Sequence, residues 1–375
     1  MNCSFRARMK HRNDTPSPTK TLYKQPMRFK PDKGRSVSMS PQTRLHITLM
    51  LILAAVLAAC GGQPASPTAA PLTETSIQFS WLANNEFAGF YMAQSEGYYT
   101  AENLKVEFVP GGFDDQGSYI NPIEQVATGN ADFGVADGAD LLDARAQGKP
   151  VVAIASIFQR HPEAYVSLAE KNIVRPEDLI GKKVLVATKA KILLNALLAA
   201  QNIDPSQVDI IDRTDFSFQP LLTGDVDVID AFITDAVVRL KAEGHAVNSI
   251  LLTDYGIDSY PNAIFTTEDM VKNKPDVVER FLRATLKGIQ SAVDNSEEAA
   301  KQVLVYNQDL TLESQLQGLQ AALPLFKPAG ANPGMMTAQT WEFTANMLLE
   351  QGILQQSPEL NQVYTLEFLN KIYGS

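Results

Sequence analysis

Cysteine is nearly absent from this chain. The 375 residues include two, Cys3 and Cys60, and none follows position 60. Two cysteines at these positions cannot form a disulfide framework. Histidine is also sparse, with four residues, of which His11 and His46 lie in the first 50 positions. Because the Cys/His spacings of zinc sites are missing as well, we expect no metal site.

A long apolar run is also missing. The most apolar stretch, residues 47–59, has 13 residues, whereas a membrane-spanning helix needs about 20. Its length is typical of the apolar region of a secretory signal, and Arg44 supplies the positive charge that precedes such a region. The sequence therefore predicts a signal peptide over residues 1–59.

Cys60 directly follows this apolar run, in the sequence "LAAC". The pattern resembles the cleavage box of bacterial lipoproteins, in which the cysteine becomes the first residue of the mature chain and carries lipid such as palmitate. The resemblance implies lipidation at Cys60 and a place on the extracytoplasmic face of the cell membrane. An incidental thiol is the alternative. Since 44 residues before the apolar run are many for a signal, we expect translation to begin near Met39.

Positive charge is scarce beyond the leader. Residues 1–59 hold 11 of the 32 Lys and Arg residues but 2 of the 42 Asp and Glu residues, so the remaining chain is strongly acidic. Nucleic-acid binding requires clustered Lys and Arg to contact phosphates. An acidic body therefore argues against nucleic acid and against large polyanions as partners. Nucleophile elbows and phosphate-binding glycine loops are also missing from the sequence.

The chain after Cys60 changes from linker to folded pattern. Residues 60–75 are rich in Pro, Ser, Thr, Ala and Gly, which predicts a flexible tether. From Ser76 onward, apolar β runs such as "SIQFSW", "LKVEFVP" and "PVVAIASIF" alternate with helical segments of about ten residues. This alternation predicts an α/β fold with a mainly parallel sheet. Beyond Thr266 the pattern is helical.

One arrangement occurs twice. Residues 126–137, "VATGNADFGVAD", and residues 221–235, "LLTGDVDVIDAFITD", both contain a helix end, Thr-Gly, a strand and a final Asp. Each would place the end of a strand, and then the start of a helix, at one edge of a sheet, where open α/β sheets bind ligands. The duplication suggests two similar lobes with a cleft between them. Thr-Gly as a simple helix stop is the alternative.

Four separated blocks resemble one protein family. The segment "WLANNEFAGFYMAQSEGYYTAENLKVEFVPGG" is similar to the start of the thiamine-pyrimidine-type substrate-binding proteins of bacterial ABC importers. "IVRPEDLIGKKV", "DYGIDSYPNAIFTTEDMV" and "VVERFLRATLKGIQSAVDNSEEA" match in the same order. The resemblance implies a type II periplasmic-binding-protein fold, with lobe 1 over 76–160 and 261–375 and lobe 2 over 161–260. The chain would cross between lobes near 159–167 and 253–261.

The same family contains enzymes that build the thiamine pyrimidine. Those enzymes use a histidine and a pyridoxal-phosphate lysine, and by spacing these positions fall on Asp140 and Ala136 here. The cysteine-rich motif of the enzymes is missing as well. We therefore expect a binding protein that is not an enzyme and carries no cofactor.

The candidate ligand residues of lobe 1 lie near strand ends and helix starts, and one of Phe87 and Phe90 is expected to line the cleft and the other the core. Trp81 can present a flat face to a flat ligand, while Asn84 is expected to cap a helix. Gln159 ranks above the neighbouring His161, because a lone histidine is more often structural. The lobe 1 candidates are Trp81, Asn85, Phe87, Phe90, Asp137 and Gln159.

Lobe 2 supplies the remaining candidates. Thr188 and Lys189 lie at a strand-to-helix turn, Asp235 ends the second repeated arrangement, and Tyr260 flanks the return crossing. Relatives commonly have Asn-Glu-Pro where this chain has "TDAVV", so pyrimidine contacts do not carry over simply.

Aromatic surfaces with neutral or acidic polar groups favour an uncharged heterocycle. Arginine forks, which bind phosphate or sulfonate, are scarce; Arg160 and Arg213 are the nearest. Within the family, riboflavin or a thiamine pyrimidine precursor would fit, and riboflavin is placed first because its hydroxylated chain could use the many Asp and Asn residues. The expected partners are ABC permease and ATPase subunits, with the binding protein a monomer. A pyrimidine synthase and an alkanesulfonate or nitrate binder remain the alternatives.

Overall fold

Ten β-strands form the framework of the part of the chain that the structure describes. The computed structural model describes residues 71–214 and 216–374, so the signal peptide, Cys60 and most of the tether lie outside the described residues. The strands are β1 (Thr73–Gln78), β2 (Leu104–Val109), β3 (Phe133–Ala136), β4 (Val151–Ser156), β5 (Glu163–Leu168), β6 (Lys183–Val186), β7 (Asp209–Asp212), β8 (Val228–Phe232), β9 (Val247–Leu251) and β10 (Ala263–Thr267).

Helices cover both sheets and make up the last third of the chain. Side-chain caps begin several of them: Asn121 accepts a hydrogen bond from the N–H of Ile123, and Thr267 accepts one from that of Met270. The helices are α1 (Ala88–Ser95), α2 (Tyr98–Ala101), α3 (Pro122–Ala127), α4 (Gly138–Ala146), α5 (Lys191–Ala200), α6 (Gln219–Leu222), α7 (Ala236–Ala242), α8 (Glu268–Asn273), α9 (Pro275–Asp294), α10 (Ser296–Tyr306), α11 (Leu312–Phe326), α12 (Ala338–Glu350), α13 (Leu360–Val363) and α14 (Glu367–Tyr373).

The two sheets have matching topology. The first has the strand order β2-β1-β3-β10-β4 and the second β7-β6-β8-β5-β9. In each, four strands run in the same direction and one inserted strand is antiparallel to both of its neighbours: β10 lies between β3 and β4, and β5 lies between β8 and β9. This architecture confirms the expected α/β fold with two lobes, and it adds an antiparallel strand to each mainly parallel sheet.

The chain passes from the first sheet to the second between β4 and β5, and returns between β9 and β10. The first passage, 157–162, is shorter than the expected crossing at 159–167, because residues 163–167 pair with β8 and β9 as part of β5. Residues 73–75 were assigned to the tether, yet they belong to β1 and pair with β2. The alternation of Thr and Glu there does not look apolar, so the sequence pattern missed them.

Lobe 1 has a single large aromatic core, whereas lobe 2 packs a separate apolar cluster on each face of its sheet. In lobe 1, α1 and α9 approach so closely that a Cβ at Gly288 would lie 2.1 Å from the carbonyl oxygen of Gly89. Glycine at both positions is therefore needed for this helix contact. Among the described helices, none has the length and apolar character that crossing a membrane requires.

The end of the chain returns to the first sheet. After α13, Tyr364 forms an isolated bridge with Ala153 of β4, and the N–H of Thr365 donates to the carbonyl oxygen of Ala153. The ring of Tyr364 stacks on Trp341 of α12 with centroids 5.4 Å apart. Lobe 1 is thus completed by residues from both ends of the described chain.

Candidate functional site

A cavity of about 740 Å³ lies between the two sheets. Its wall is formed where strands end and helices begin: the segments after β1 and β3 in lobe 1, and those after β6, β7 and β8 in lobe 2. Both chain crossings also contribute wall residues, among them His161 and Asn262. The volume is within the range of small-molecule sites.

Three aromatic side chains lie at the open rim. Trp81 is 38% exposed and Phe216 is 55% exposed, and Tyr119 completes the set. The Tyr119 hydroxyl donates to the carbonyl oxygen of Ser80 at 3.0 Å, which fixes this ring beside the end of β1. Phe113 meets Trp81 edge to face, with centroids 5.5 Å apart. The rim therefore offers flat apolar faces from both lobes, suited to a planar ligand.

Lobe 1 lines the cavity with carboxyl groups. Asp137 directly follows β3 and accepts a hydrogen bond from the N–H of Ala139 at 2.7 Å, so it caps α4. Burial, with the charge of Asp140 added, raises the pKa of Asp137 to about 7. Glu86 accepts a hydrogen bond from the Asn262 amide at 2.9 Å. Burial raises the pKa of Glu86 to about 7 despite this hydrogen bond, which lowers it.

Lobe 2 contributes both signs of charge. Arg213 and Asp230 form a buried ion pair at 2.9 Å. Arg239 pairs with Asp235 at 3.5 Å on a more exposed part of the wall. The guanidinium of Arg213 also lies 5.0 Å from the centroid of the Phe216 ring.

Lys189 of lobe 2 reaches across the cavity to lobe 1. Its Nζ donates to both carboxylate oxygens of Asp140, the nearer at 2.7 Å. Both side chains are well exposed, at 73% and 41%. Such an exposed pair contributes about 0–1 kcal/mol, yet its two members come from opposite lobes.

At the floor of the cavity, two buried side chains each have one polar atom that lacks a partner among the described residues. His161 and Glu163 are 2% and 6% exposed, and both line the cavity. His161 Nε2 and Glu163 Oε1 find no hydrogen-bond partner among the described residues. Burial lowers the pKa of His161 to about 3, so the ring is neutral. Burial, with the charge of Asp230 added, raises the pKa of Glu163 well above its usual range.

Four of the ten candidates from sequence line this cavity: Trp81, Asp137, Lys189 and Asp235. Asn84 accepts a hydrogen bond from the N–H of Glu86 at 2.8 Å, as expected for a cap, and it lines the cavity as well. The remaining six candidates do not line the cavity, namely Asn85, Phe87, Phe90, Gln159, Thr188 and Tyr260.

Three of these six are buried in lobe 1. Phe87 stacks on Phe79 with centroids 4.4 Å apart, and Phe90 contacts the same ring edge to face. Asn85 is covered by α11, where a Cβ at Gly318 would lie 2.5 Å from the Asn85 amide nitrogen. These residues stabilise the base of α1 and are corrected from ligand candidates to core residues.

The other three use their polar groups within the protein. Gln159 donates to the carbonyl oxygens of Phe326 and Asn332, both at 2.8 Å. Thr188 donates to Asp212 at 3.3 Å. The Tyr260 hydroxyl accepts a hydrogen bond from the N–H of Thr337 at 2.7 Å. Each side chain joins neighbouring segments, and none of the three lines the cavity.

Several wall residues were not proposed from sequence: Glu86, Tyr119, Glu163, Phe216, Asp230, Arg239 and Asn262. Most are brought together by contacts between distant segments, as Glu86 and Asn262 are, so local patterns do not reveal them. His161 was placed below Gln159, and the structure reverses that order. The sequence signal that favoured His161 as a wall residue was its position two residues before Glu163, at the point where the chain leaves the first sheet.

Among the described residues, no group of three or more His, Cys, Asp and Glu side chains is arranged to hold a metal ion. The wall instead combines aromatic faces, carboxyl groups, amides and paired cations. This set can stack on a flat molecule and exchange hydrogen bonds with it.

Two curated relatives span nearly the whole folded chain. The riboflavin-binding protein RibY of Chloroflexus aurantiacus is 28% identical over 342 residues, which cover 87% of this chain and 96% of the relative. The formylaminopyrimidine-binding protein of Halalkalibacterium halodurans is 28% identical over 320 residues, covering 83% of this chain and 94% of the relative.

A solved structure has the same fold. The periplasmic aliphatic sulphonate binding protein SsuA of Escherichia coli superposes with a TM-score of 0.62 at 14% identity, covering 77% of this chain and 91% of SsuA. This likeness confirms the periplasmic-binding-protein fold. The family model described as "NMT1/THI5 like" matches residues 84–299, more than half of the chain. The chain therefore belongs to the NMT1/THI5-like family.

Proposed function

We propose that this protein is the extracytoplasmic solute-binding subunit of an ABC importer and that it captures an uncharged aromatic heterocycle of vitamin type. The observation that carries the proposal is the cavity between the lobes, with aromatic faces at the rim and acidic and amide groups below. Its volume of about 740 Å³ accommodates a ligand as large as riboflavin. The two relatives above are named for binding heterocycles of this kind.

The charges of the wall support a neutral ligand over an anion. The three basic side chains among the described wall residues are Lys189, Arg213 and Arg239, and each is within ion-pair distance of a carboxylate. A sulfonate or phosphate would need arginines or helix N–H groups turned toward it. An anionic ligand would have to displace the carboxylates that now pair with these cations. The cost in free energy would be largest at the buried pair Arg213–Asp230, because a buried charge without its partner is strongly destabilising.

Riboflavin is our first choice of ligand and a thiamine pyrimidine precursor our second. A tricyclic ring can contact aromatic side chains from both lobes at the rim, and the hydroxylated chain of riboflavin can reach polar groups deeper in the cavity. A pyrimidine would fill a smaller part of the same volume.

Synthase activity is the less favoured alternative. Some relatives are named as pyrimidine phosphate synthases. The positions expected for the histidine and lysine of such enzymes hold Asp140 and Ala136, and Asp140 is bound to Lys189 here. The relatives with the higher identity are named as binding proteins.

We further propose that the protein acts as a monomer, held through lipid on Cys60 at the outer face of the cell membrane, and delivers ligand to permease and ATPase subunits. Lobe 1 (76–160 and 261–375) and lobe 2 (161–260) would close on the ligand by a hinge motion at the two crossings, as proteins of this architecture do.

Titration of the purified chain from residue 71 with riboflavin, hydroxymethylpyrimidine, thiamine and taurine tests the function. A ligand that binds only the folded state raises its stability by about 2.7 kcal/mol at a hundredfold excess over Kd. We expect such stabilisation with riboflavin or the pyrimidine, and none with taurine. Stabilisation by taurine alone would contradict the proposal.

Trp81→Ala provides the site control for this titration. Because Trp81 is an exposed rim residue, its loss should leave the fold intact and weaken heterocycle binding at least tenfold, the effect of losing one stacking partner. Trp81→Phe keeps a flat face and should retain most of the affinity. Equal affinity of all three proteins would remove Trp81 from the site.

A further inference from the structure

The cavity changes character with depth. Its rim residues Trp81 and Phe216 are apolar and more than one-third exposed, whereas His161 and Glu163 at the floor are at most 6% exposed. The buried pair Arg213–Asp230 also lies at this depth. A ligand that satisfies both ends would need a flat apolar part and a separate polar part.

The protonation of His161 follows from its hydrogen bond. The N–H of Glu163 donates to His161 Nδ1 at 3.1 Å, so Nδ1 is the acceptor and the proton of the neutral ring is on Nε2. The lowered pKa of His161 agrees with a neutral ring. His161 Nε2 is therefore a hydrogen-bond donor that has no partner among the described residues.

Glu163 presents the complementary group. Its Oε1 lacks a hydrogen-bond partner among the described residues, and the side chain lies two positions from His161 at the same wall. The charge of Arg213 and a hydrogen bond from the Ala231 backbone favour the ionised form, but burial and the charge of Asp230 outweigh them and raise its pKa. A protonated carboxyl group can both donate and accept a hydrogen bond.

A buried polar atom without a partner costs about 1–3 kcal/mol. Two such atoms at one cavity floor would be satisfied by a ligand group that accepts from His161 Nε2–H and exchanges a hydrogen bond with Glu163. A hydroxyl group does both, and adjacent hydroxyls on a flexible chain could also reach neighbouring polar groups of the floor, such as Asp230.

We propose that His161 and Glu163 form a subsite for a polyhydroxylated chain. This subsite would distinguish a ligand that carries such a chain from a ligand that has only the flat ring. This inference rests on the proposed function, and it adds an orientation: ring at the rim, hydroxyl groups at the floor. His161 and Glu163 are then specificity-determining residues for the hydroxylated ligand.

The test compares two flavins that share a ring. Lumiflavin has a methyl group where riboflavin has its hydroxylated chain, so the ratio of their affinities measures the chain alone. We expect wild-type protein to bind riboflavin at least tenfold more tightly than lumiflavin, by titration of flavin fluorescence. Glu163→Leu and His161→Phe should each reduce that ratio at least fivefold with lumiflavin affinity unchanged, which also shows that the variants are folded.

Glu163→Gln should keep the ratio within about threefold of wild type, because the amide both donates and accepts. His245→Phe and Glu170→Leu are matched controls outside the cavity wall and should not change it. Equal wild-type affinity for both flavins would overturn the subsite while leaving the proposed function intact. Binding of neither flavin would overturn riboflavin as the ligand and the subsite together.

The aminopyrimidine ring is the competing occupant of this floor, because its edge also alternates donor and acceptor. Hydroxymethylpyrimidine is therefore titrated against the same variants. If Glu163→Leu weakens binding of the pyrimidine at least fivefold and leaves riboflavin unaffected, the floor recognises a ring edge and our proposal is wrong.

Discussion

The two walls of the cavity have similar architecture but different charge. Lobe 1 contributes Glu86, Asp137 and Asp140, and its described wall residues include no Lys, Arg or His. Lobe 2 contributes three carboxylates and three basic side chains, and within the lobe the pairs are Arg213–Asp230 and Arg239–Asp235. Both arginines of the lobe 2 wall thus have a carboxylate partner within the lobe, whereas Glu86 and Asp137 of lobe 1 form no ion pair with another described residue and have raised pKa values. The ligand's hydrogen-bond donors are therefore expected to face lobe 1.

The two repeated arrangements show the same contrast. Asp137 and Asp235 both follow a strand and precede a helix. The Asp137 side chain caps α4, but that of Asp235 makes no cap hydrogen bond and pairs with Arg239 instead. The same strand-to-helix arrangement thus places Asp137 and Asp235 at the cavity, where the first caps a helix and the second pairs with an arginine.

The largest expected effect comes from breaking the buried ion pair Arg213–Asp230 of lobe 2. Arg213→Met leaves Asp230 as an unpaired charge in a buried position, which should lower the free energy of unfolding by about 3–5 kcal/mol. Urea denaturation measures the change. Adding Asp230→Asn should recover part of the loss.

Arg239→Met is the matched control, since its partner Asp235 is well exposed. An exposed ion pair contributes about 0–1 kcal/mol, so this variant should be nearly neutral. If both arginine variants cost the same, the distinction between the buried and the exposed pair of lobe 2 does not hold.

An intermediate effect is expected from replacing the Asp137 carboxyl group of lobe 1 by a neutral amide. The folded-state pKa of Asp137 is raised, so the folded protein holds the proton more tightly, and stability falls as pH rises from about 4 to about 7. Asp137→Asn keeps a capping residue and removes this loss. The free energy of unfolding of the variant relative to wild type should therefore rise by about 3–4 kcal/mol between pH 4 and pH 8.

Asp235→Asn sharpens the comparison. Partial desolvation by the surrounding cavity wall also raises the pKa of Asp235, but Arg239 opposes the shift. The same pH series should therefore give a smaller rise for this variant than for Asp137→Asn. A rise of equal size in the two variants would show that the pKa values of Asp137 and Asp235 are raised equally in the two lobes.

The smallest effect concerns the ion pair between the lobes. Lys189→Ala removes the contact with Asp140 and should speed ligand release about two- to fivefold at low salt, with less effect at 0.5 M salt, because exposed pairs are weak and screened. Stopped-flow fluorescence measures release. Lys191→Ala is the control: it removes a pair of similar length with Asp212, inside lobe 2. Equal effects of the two variants would exclude a specific role for the contact between lobes.

Local information in the sequence was enough for part of the site. Asp137 and Asp235 could be placed because a strand followed by a helix puts the intervening residue at the sheet edge, and Trp81 followed from the same rule at the end of the first strand. Fold class followed from the alternation of strands and helices together with the family resemblance.

The remainder depends on contacts that no local pattern encodes. Glu86 and Asn262 are 176 residues apart, and Arg213 is 17 residues from Asp230. One of Phe87 and Phe90 was expected to line the cleft and the other the core, but residues 88–93 are buried on every side, so apolar periodicity could not show which face meets the cavity. Gln159 was preferred to His161 because a lone histidine is more often structural, and the sequence does not show which of the two side chains faces the cavity.

The position of β10 has a consequence for the order in which the lobes can form. β10 lies inside the first sheet, between β3 and β4, yet it follows all of lobe 2 along the chain. On the ribosome, the second sheet is fully synthesised once residue 251 has emerged, whereas the first sheet still has a gap until residue 267. The lobe that begins first is therefore the one that must finish last, and its exposed strand edges have to stay unpaired while the inserted lobe is made.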